Sequence, residues 1–299
     1  MKFKEKLLGA AKANNSWLCV GLDPDISQIT PQFGNGPEAV LKFNRAIIEA
    51  TSDLVCAYKP NSAFYEALGI KGWELLGETI KSIPNNIPII LDFKRGDIGN
   101  TAKKYAISAF EIFGADAVTV NPYLGSDALD PFLQYAEKGI FVLCLTSNSS
   151  STEIQKKLIL LENEQGIDGL ISQSKDKAPS EPSTLSTIEI YKYIARLTVG
   201  WNRNDNIGLV VGATAPSELE SIREEIGDDM PILIPGVGAQ GGDLQKALLA
   251  GSNSKGELAI INISRGIIYA GKDKTFYQDV RSAAESLREN MAEILANKK

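Results

Sequence analysis

The chain has 299 residues, a formal net charge of −6, a sequence pI near 5.0 and 43% hydrophobic residues. This balance is typical of a folded globule and argues against nucleic acid or an anionic membrane as the main partner. Histidine is absent, which excludes Ser-His-Asp and Cys-His catalysis as usually built, together with the commonest metal ligand.

The first eight residues form a charged, helix-like segment without the apolar core of a signal peptide. No apolar run in the chain approaches the roughly 20 residues needed to span a bilayer. We therefore expect a cytoplasmic protein.

Short apolar runs then alternate with amphipathic helical patterns along the whole chain. Eight strand-then-helix units in a chain of this length favour a TIM (β/α)8 barrel over an open doubly wound sheet. We therefore predict a single α/β barrel domain over residues 1–299. The predicted strands are Trp17–Gly21, Leu54–Tyr58, Ile87–Leu91, Ala117–Val120, Ile140–Leu145, Ile207–Val211, Ile232–Pro235 and Leu258–Ile263.

One stretch, at about 146–187 after the fifth predicted strand, departs from this alternation. It is rich in Ser, Thr, Lys and Glu and holds one amphipathic piece, Ile154 to Leu161. A connection of this length is either a lid or a disordered insertion, and a solvated insertion is the safer interpretation of its middle.

Three cysteines, Cys19, Cys56 and Cys144, lie far apart and within apolar runs. Their odd number and spacing predict reduced core thiols, with neither a disulfide framework nor a zinc site.

Polar residues follow most of the predicted strands, at the ends where barrels of this kind form their active sites. Asp92, Lys94 and Asp97 follow the third strand, and an extended chain points Asp92 and Lys94 to the same face. Charges there are costly unless paired, so this cluster is a structural ion-pair network or, as we favour, a reaction centre. Lys59 follows the second strand and needs a carboxylate partner, for which Asp92 is the nearest candidate.

Other strand ends offer candidate binding residues. Asp23, after the first strand, suits sugar hydroxyls, although Asp23-Pro24 is equally consistent with an Asx turn. Asn121 follows the fourth strand. Ser147 follows the fifth and could bind the edge of a planar ring, or equally cap the start of the insertion.

The loops after the seventh and eighth predicted strands indicate a phosphate site. Glycines within 236–242 let backbone N–H groups approach an anion, and Gln240 adds an amide donor. Arg265, followed by Gly266, can supply a bidentate guanidinium. Phosphate is usually bound by these two loops in a TIM barrel, whereas the glycine-rich loop alone could be only a tight turn.

In combination, these motifs resemble the orotidine 5′-phosphate decarboxylase family, in its longer-chain branch. The signature is Asp92-x-Lys94-x-x-Asp97-Ile98, followed by Thr101. The resemblance runs in order from about residue 17 to 270 and leaves out the insertion. Further matching segments are 21–25, 58–61, 120–125, 145–148, 211–214, 235–242 and 262–266.

The resemblance implies a homodimer that converts orotidine 5′-monophosphate into uridine 5′-monophosphate and CO₂ in de novo pyrimidine biosynthesis, without a metal or organic cofactor. An orotate phosphoribosyltransferase partner that supplies the substrate is left open. Residues matching Asp97 and Thr101 reach into the neighbouring subunit's site in this family. The implied site comprises the catalytic residues Lys59, Asp92, Lys94 and Asp97, ribose contacts from Asp23 and Lys59, a pyrimidine contact from Ser147, and phosphate contacts from Gln240, Arg265 and Gly266.

The implied chemistry suits these residue types. Loss of CO₂ leaves an electron pair at C6 that the ring delocalises poorly. Lys94 would stabilise this negative charge and then protonate C6. Asp92 and Asp97 would hold the lysine in position. Two alternatives remain. A metal-dependent sugar-phosphate decarboxylase or aldolase of the same superfamily could share the Asp-x-Lys-x-x-Asp core, and a non-catalytic barrel could only bind a nucleotide.

Overall fold

The computed structural model describes residues 1–161, 186–238 and 240–298, and its main feature is a sheet of eight parallel strands. These strands are buried along most of their length, as expected of parallel strands covered by helices. Two further strands, β6 and β7, form a separate antiparallel pair. In chain order the strands are β1 (Leu18–Leu22), β2 (Ala57–Pro60), β3 (Ile90–Arg95), β4 (Ala117–Val120), β5 (Gly139–Leu145), β6 (Leu158–Leu161), β7 (Ser186–Glu189), β8 (Ile207–Val211), β9 (Ile232–Pro235) and β10 (Ala259–Ile263).

The eight strands follow the order β2-β1-β10-β9-β8-β5-β4-β3. The two ends of this order meet through isolated parallel bridges that pair Tyr58 with Ile89 and Asn61 with Asp92. The backbone N–H of Tyr58 also donates to the carbonyl of Pro88 at 3.0 Å. The sheet therefore closes on itself, and the predicted TIM barrel is confirmed.

Helices pack around the barrel, and one closes its amino end. In the first helix, Phe3 and Leu7 join the interior apolar cluster, and the Phe3 ring lies edge-on to Phe141 of β5 at 5.6 Å. The opposite, carboxyl end of the barrel stays open for a site. The helices are α1 (Phe3–Asn14), α2 (Pro37–Thr51), α3 (Ser62–Glu66), α4 (Gly69–Lys81), α5 (Gly99–Ile107), α6 (Ser126–Leu133), α7 (Ser151–Ile154), α8 (Ile190–Trp201), α9 (Pro216–Ile226), α10 (Leu244–Gly251), α11 (Arg265–Ile268) and α12 (Phe276–Ala296).

Three predicted strands, those matching β1, β5 and β10, differ from the structure by one residue at one or both ends, and two are wrong by more than that. The run Leu54–Tyr58 begins too early, because its first residues are buried in the connection that follows α2 rather than paired in the sheet. The run Ile87–Leu91 ends too early, because β3 continues through Asp92 and Lys94 to Arg95. Buried apolar residues are found in connections as well as in strands, so burial alone misplaces the ends.

Part of the polar stretch at 146–187 is ordered around the pair of β6 and β7. Leu158 pairs with Glu189 and Leu161 with Ser186, so the amphipathic piece contains the end of α7 and a strand. The middle of the stretch, 162–185, lies outside the described residues. All three cysteines are free and buried, as predicted. No helix within the described ranges combines the length and apolar character needed to cross a bilayer.

Candidate active site

The carboxyl end of the barrel holds a buried cluster of three charges. Asp92 Oδ2 lies 2.8 Å from Lys59 Nζ, and Asp92 Oδ1 lies 2.6 Å from Lys94 Nζ. The side chains of Asp92 and Lys59 are only 8% and 5% exposed, whereas that of Lys94 is 46% exposed. The predicted pair of Lys59 and Asp92 is therefore present, and Lys94 is the member of the cluster that a ligand reaches first.

Mutual pairing keeps Asp92 and Lys59 charged. Burial by itself raises the pKa of the Asp92 carboxyl, but the charges and hydrogen bonds of Lys59 and Lys94 outweigh it and hold the pKa well below its usual range. Burial by itself lowers the pKa of Lys59, but Asp23 and Asp92 outweigh it and raise that pKa. Both groups consequently remain ionised across the physiological range.

Lys94 reaches Asp92 through an unusual backbone. Its φ is +47°, in the left-handed region that non-glycine residues rarely adopt. The pairing of β3 with β4 is irregular at the same place, because its register shifts between Leu91 and Arg95. The expected meeting of Lys94 and Asp92 is present, but a local kink brings it about rather than the simple extended strand assumed from the sequence.

Thr119 on β4 holds this kink, a role that none of the sequence motifs indicated. Its hydroxyl accepts from the backbone N–H of Lys94 at 3.0 Å and donates to Asp92 Oδ1 at 2.8 Å. Thr119 is 1% exposed. A hydroxyl inside an otherwise apolar four-residue strand is the signal that could have revealed it, because buried polar groups require partners.

A second group of contacts orients Asp23. Ser264, which follows β10, donates to Asp23 Oδ2 at 2.5 Å and to the carbonyl of Gly21 at 3.1 Å. Asp23 Oδ1 points towards Lys59 Nζ at 4.0 Å and has no hydrogen-bond partner among the described residues. Asp23 thus lies beside the charged cluster with one carboxylate oxygen available to a ligand donor. No motif in the sequence indicated this role of Ser264.

The opposite side of the barrel mouth is neutral. Ser147, after β5, donates to Gln240 Oε1 at 2.5 Å, so two predicted binding residues are brought together. Two glycines make room for them. A Cβ on Gly212 would lie 2.8 Å from the backbone nitrogen of Ser147, and one on Gly236 would lie 2.9 Å from Gln240 Oε1. A planar ring between the two sides would face charges on one edge and a hydroxyl on the other.

Several predicted site residues lie outside the cluster. The Asp97 carboxylate accepts from the N–H of Ile98 at 2.8 Å, and Thr101 is exposed on α5. The Asn121 amide oxygen accepts from the N–H of Tyr123 at 3.0 Å, so it already caps a turn. Arg265 and Gly266 are exposed at the start of α11, the short helix that follows β10. Their roles remain predictions.

The site can place an ammonium group beside a developing negative charge. Two ammonium groups flank one carboxylate, and the more exposed of them faces the open end of the barrel. Across the described ranges, no three Asp, Glu, Cys or His side chains are grouped so as to hold a metal ion.

Comparison with known proteins places this site in a family. Residues 16–280 match the family model described as Orotidine 5′-phosphate decarboxylase / HUMPS family. A protein of Dehalococcoides mccartyi named orotidine 5′-phosphate decarboxylase is 48% identical over 289 residues, which cover 97% of each chain.

Solved structures agree with this match. An OMP decarboxylase of Leishmania donovani superposes with a TM-score of 0.80 at 36% identity, covering 99% of this chain and 100% of that one. A UMP synthase of the same organism gives a TM-score of 0.81 at 38% identity, and the match covers 99% of this chain but 57% of that one.

Proposed function

The chain belongs to the orotidine 5′-phosphate decarboxylase / HUMPS family and is a carboxy-lyase; we propose that it acts on orotidine 5′-monophosphate through Lys94, without a cofactor. The products are uridine 5′-monophosphate and CO₂, in de novo pyrimidine biosynthesis. The observation that carries the proposal is the ion pair between Lys94 Nζ and Asp92 Oδ1, open on the lysine side to the mouth of the barrel.

Lys94 supplies both the charge and the proton. When the bond between C6 and the carboxyl carbon breaks, its electron pair stays on C6, next to the ammonium group. One ammonium proton then passes to C6, and the neutral amine regains a proton from solvent. Asp92 holds the ammonium before the reaction begins, and Lys59 and Thr119 hold Asp92, so little reorganisation accompanies the change in charge.

Asp92 supports a mechanism without a metal. Both of its oxygens already accept from ammonium groups, and Oδ1 also accepts from Thr119. A metal ion at this carboxylate would have to displace Lys59 or Lys94 from it. In the metal-dependent sugar-phosphate alternative, the same carboxylate would be expected to face an open coordination site.

A homodimer is part of the proposal. Asp97 and Thr101 lie near a sector of the barrel that exposes large apolar side chains, including Ile98 at 61% and Tyr123 at 84% exposure. Apolar exposure of this extent is typical of an interaction surface. A second subunit that covers this surface would bring Asp97 and Thr101 to its own charged cluster.

A partner enzyme that supplies the nucleotide is also proposed. The matched UMP synthase chain is considerably longer than the part that this chain covers, which leaves room there for a second catalytic domain. An orotate phosphoribosyltransferase, as a separate protein, would provide the equivalent step here. Co-purification of the two from cells, lost when either is deleted, tests this association.

The direct test follows the ultraviolet absorbance of the orotate ring while purified protein is incubated with orotidine 5′-monophosphate and a chelator. Conversion to uridine 5′-monophosphate that the chelator does not slow supports the proposal. Conversion that needs added Mg²⁺ would favour the sugar-phosphate type of mechanism, and binding without conversion would favour a nucleotide-binding barrel.

A further inference from the structure

Asn262 is a polar residue inside the barrel that the reaction described above does not use. On β10, Ile260 belongs to the interior apolar cluster that also contains Cys19, whereas Ile261 belongs to the outer cluster under the helices. Because side chains alternate along a strand, Asn262 points inward, one step nearer the open end than Ile260. The same spacing is found on two other strands. Lys59 lies two residues after Ala57 on β2, and Asp92 lies two residues after Ile90 on β3, and both Ala57 and Ile90 belong to the interior cluster.

The amide oxygen of Asn262 has no hydrogen-bond partner among the described residues. The residue is 8% exposed, and its Oδ1 is buried with no donor among the described residues. The Oδ1 atoms of Asn44 and Asn206 are also buried without a donor among the described residues, but both side chains are anchored through the amide nitrogen. Asn206, also 8% exposed, donates to two carbonyls, and Asn44 donates to Tyr65 and Thr79, whereas Asn262 has no such anchor among the described residues. Buried polar groups are normally satisfied, so an unused amide that faces a site is typical of a residue that waits for a ligand.

A second acceptor without a donor lies on the neighbouring strand. β1 and β10 pair directly, with Cys19 opposite Asn262 and Val20 opposite Ile263. Asp23 follows β1, and its Oδ1 is likewise buried without a donor among the described residues, because Ser264 occupies Oδ2. One unsatisfied acceptor oxygen therefore lies on β10 and the other just after the adjacent strand β1.

Two such acceptors suit a ligand that carries two O–H donors. Lys59 cannot serve both, since its ammonium is directed to Asp92 at 2.8 Å and stays 4.0 Å from Asp23. A vicinal diol supplies two such donors, and the ribose of a nucleotide carries one. An apolar side chain such as leucine would leave no polar group unpaired at this buried position, but it could not accept a hydrogen bond from a hydroxyl group.

We propose that Asn262 is a further substrate-binding residue that, together with Asp23, accepts hydrogen bonds from the ribose hydroxyls and so discriminates ribonucleotides from deoxyribonucleotides. The inference rests on the proposed function, since that function supplies the nucleotide. It adds a residue to the site that neither the strand-end motifs nor the charged cluster indicated.

Calorimetric titration of the native protein with uridine 5′-monophosphate and its 2′-deoxy and 3′-deoxy analogues tests the proposal. In Asn262→Leu we expect the affinity for the ribonucleotide to fall about tenfold, with little change for the analogue that lacks the bound hydroxyl. The ratio of the two affinities, measured in one variant, does not depend on the amount of folded protein. Asn206→Leu is the matched control, because it removes an equally buried asparagine at the amino end of β8 and should leave the ratio unchanged.

The outcomes separate the two proposals. An equal loss of affinity for all three nucleotides, an unchanged ratio, or native protein that binds the ribonucleotide and the analogues alike would overturn the role of Asn262. Native protein that neither binds uridine 5′-monophosphate nor decarboxylates orotidine 5′-monophosphate would instead overturn the proposed function itself.

Discussion

The Thr119 hydroxyl accepts a hydrogen bond from the backbone N–H of Lys94 at 3.0 Å, and it donates to the carboxylate that holds the Lys94 ammonium. One buried side chain on β4 thereby supports both the left-handed backbone of Lys94 and the partner of its side chain. A left-handed non-glycine residue persists only where its surroundings impose it. The position of the proposed proton donor thus depends on a neighbouring strand.

Thr119→Val keeps the shape of this side chain and removes its hydrogen bonds. We expect kcat to fall about tenfold or more with a small change in KM, because a lost buried hydrogen bond is worth about 1–3 kcal/mol. Steady-state kinetics measure this. Thr51→Val is the matched control: Thr51 is equally buried and hydrogen-bonded, but lies on α2 away from the site. An unchanged kcat in Thr119→Val would remove Thr119 from the positioning of Lys94.

Lys94→Ala should abolish turnover while nucleotide binding stays measurable. The variant removes the group that stabilises and protonates C6, and loss of one such electrostatic group costs on the order of a thousandfold in kcat. The absorbance assay gives the rate, and titration with uridine 5′-monophosphate gives the affinity. Lys104→Ala, at an exposed lysine of α5, should behave like native protein. Near-normal rates in Lys94→Ala would exclude the lysine from the mechanism.

Asp92 should contribute to the acid stability of the protein. Because its pKa is lower in the folded chain than its ordinary value, the stability it contributes is present above about pH 4 and is lost as the pH falls towards the folded-state pKa. Between about pH 5 and about pH 3, we expect the unfolding free energy of native protein to fall more steeply than that of Asp92→Asn, by up to about 1.4 kcal/mol per pH unit below pH 4. Urea unfolding at each pH measures this, and parallel curves would contradict it.

Arg265→Ala should weaken recognition of the substrate phosphate. Loss of a charge-assisted hydrogen bond predicts a rise in KM of roughly 10- to 100-fold. Because phosphate binding energy can also support orientation of the reacting ring, kcat should fall as well. Arg203→Ala, at another exposed arginine, is the control. Orotidine lacks the phosphate, so its slow turnover should be the same in native and Arg265→Ala protein. Unchanged kinetics of Arg265→Ala with orotidine 5′-monophosphate would refute the phosphate contact.

Mixing two inactive variants tests the shared site. In a hybrid dimer of Lys94→Ala and Asp97→Ala chains, one site carries both changes and the other carries neither. Random exchange of equal amounts makes half of the dimers hybrids, so about one quarter of native activity should return. Labelled subunits followed by native mass spectrometry establish the exchange. If exchange occurs and activity stays absent, each site is built within one chain.

The strand ends were predictable because burial and charge leave local signals in the sequence. Lys59 and Asp92 each follow a buried apolar run, and a buried lysine needs a carboxylate, so their pairing could be expected from the residue pattern alone. The barrel was predictable for the same reason, since eight apolar runs alternated with helical patterns. The bounds of β2 and β3 were harder to predict, because Leu54 in a connection is as buried as Leu91 in a strand.

The amino-acid sequence by itself determined which residues could carry chemistry: with no histidine in the chain, carboxylates, lysines and arginines at strand ends were the available groups. Only the tertiary structure decided how they are held. The kink at Lys94, its support by Thr119, the orientation of Asp23 by Ser264 and the unused amide of Asn262 all arise between strands that are far apart in the chain. Such contacts depend on strand register and on closure of the barrel, and neither leaves a local pattern in the sequence.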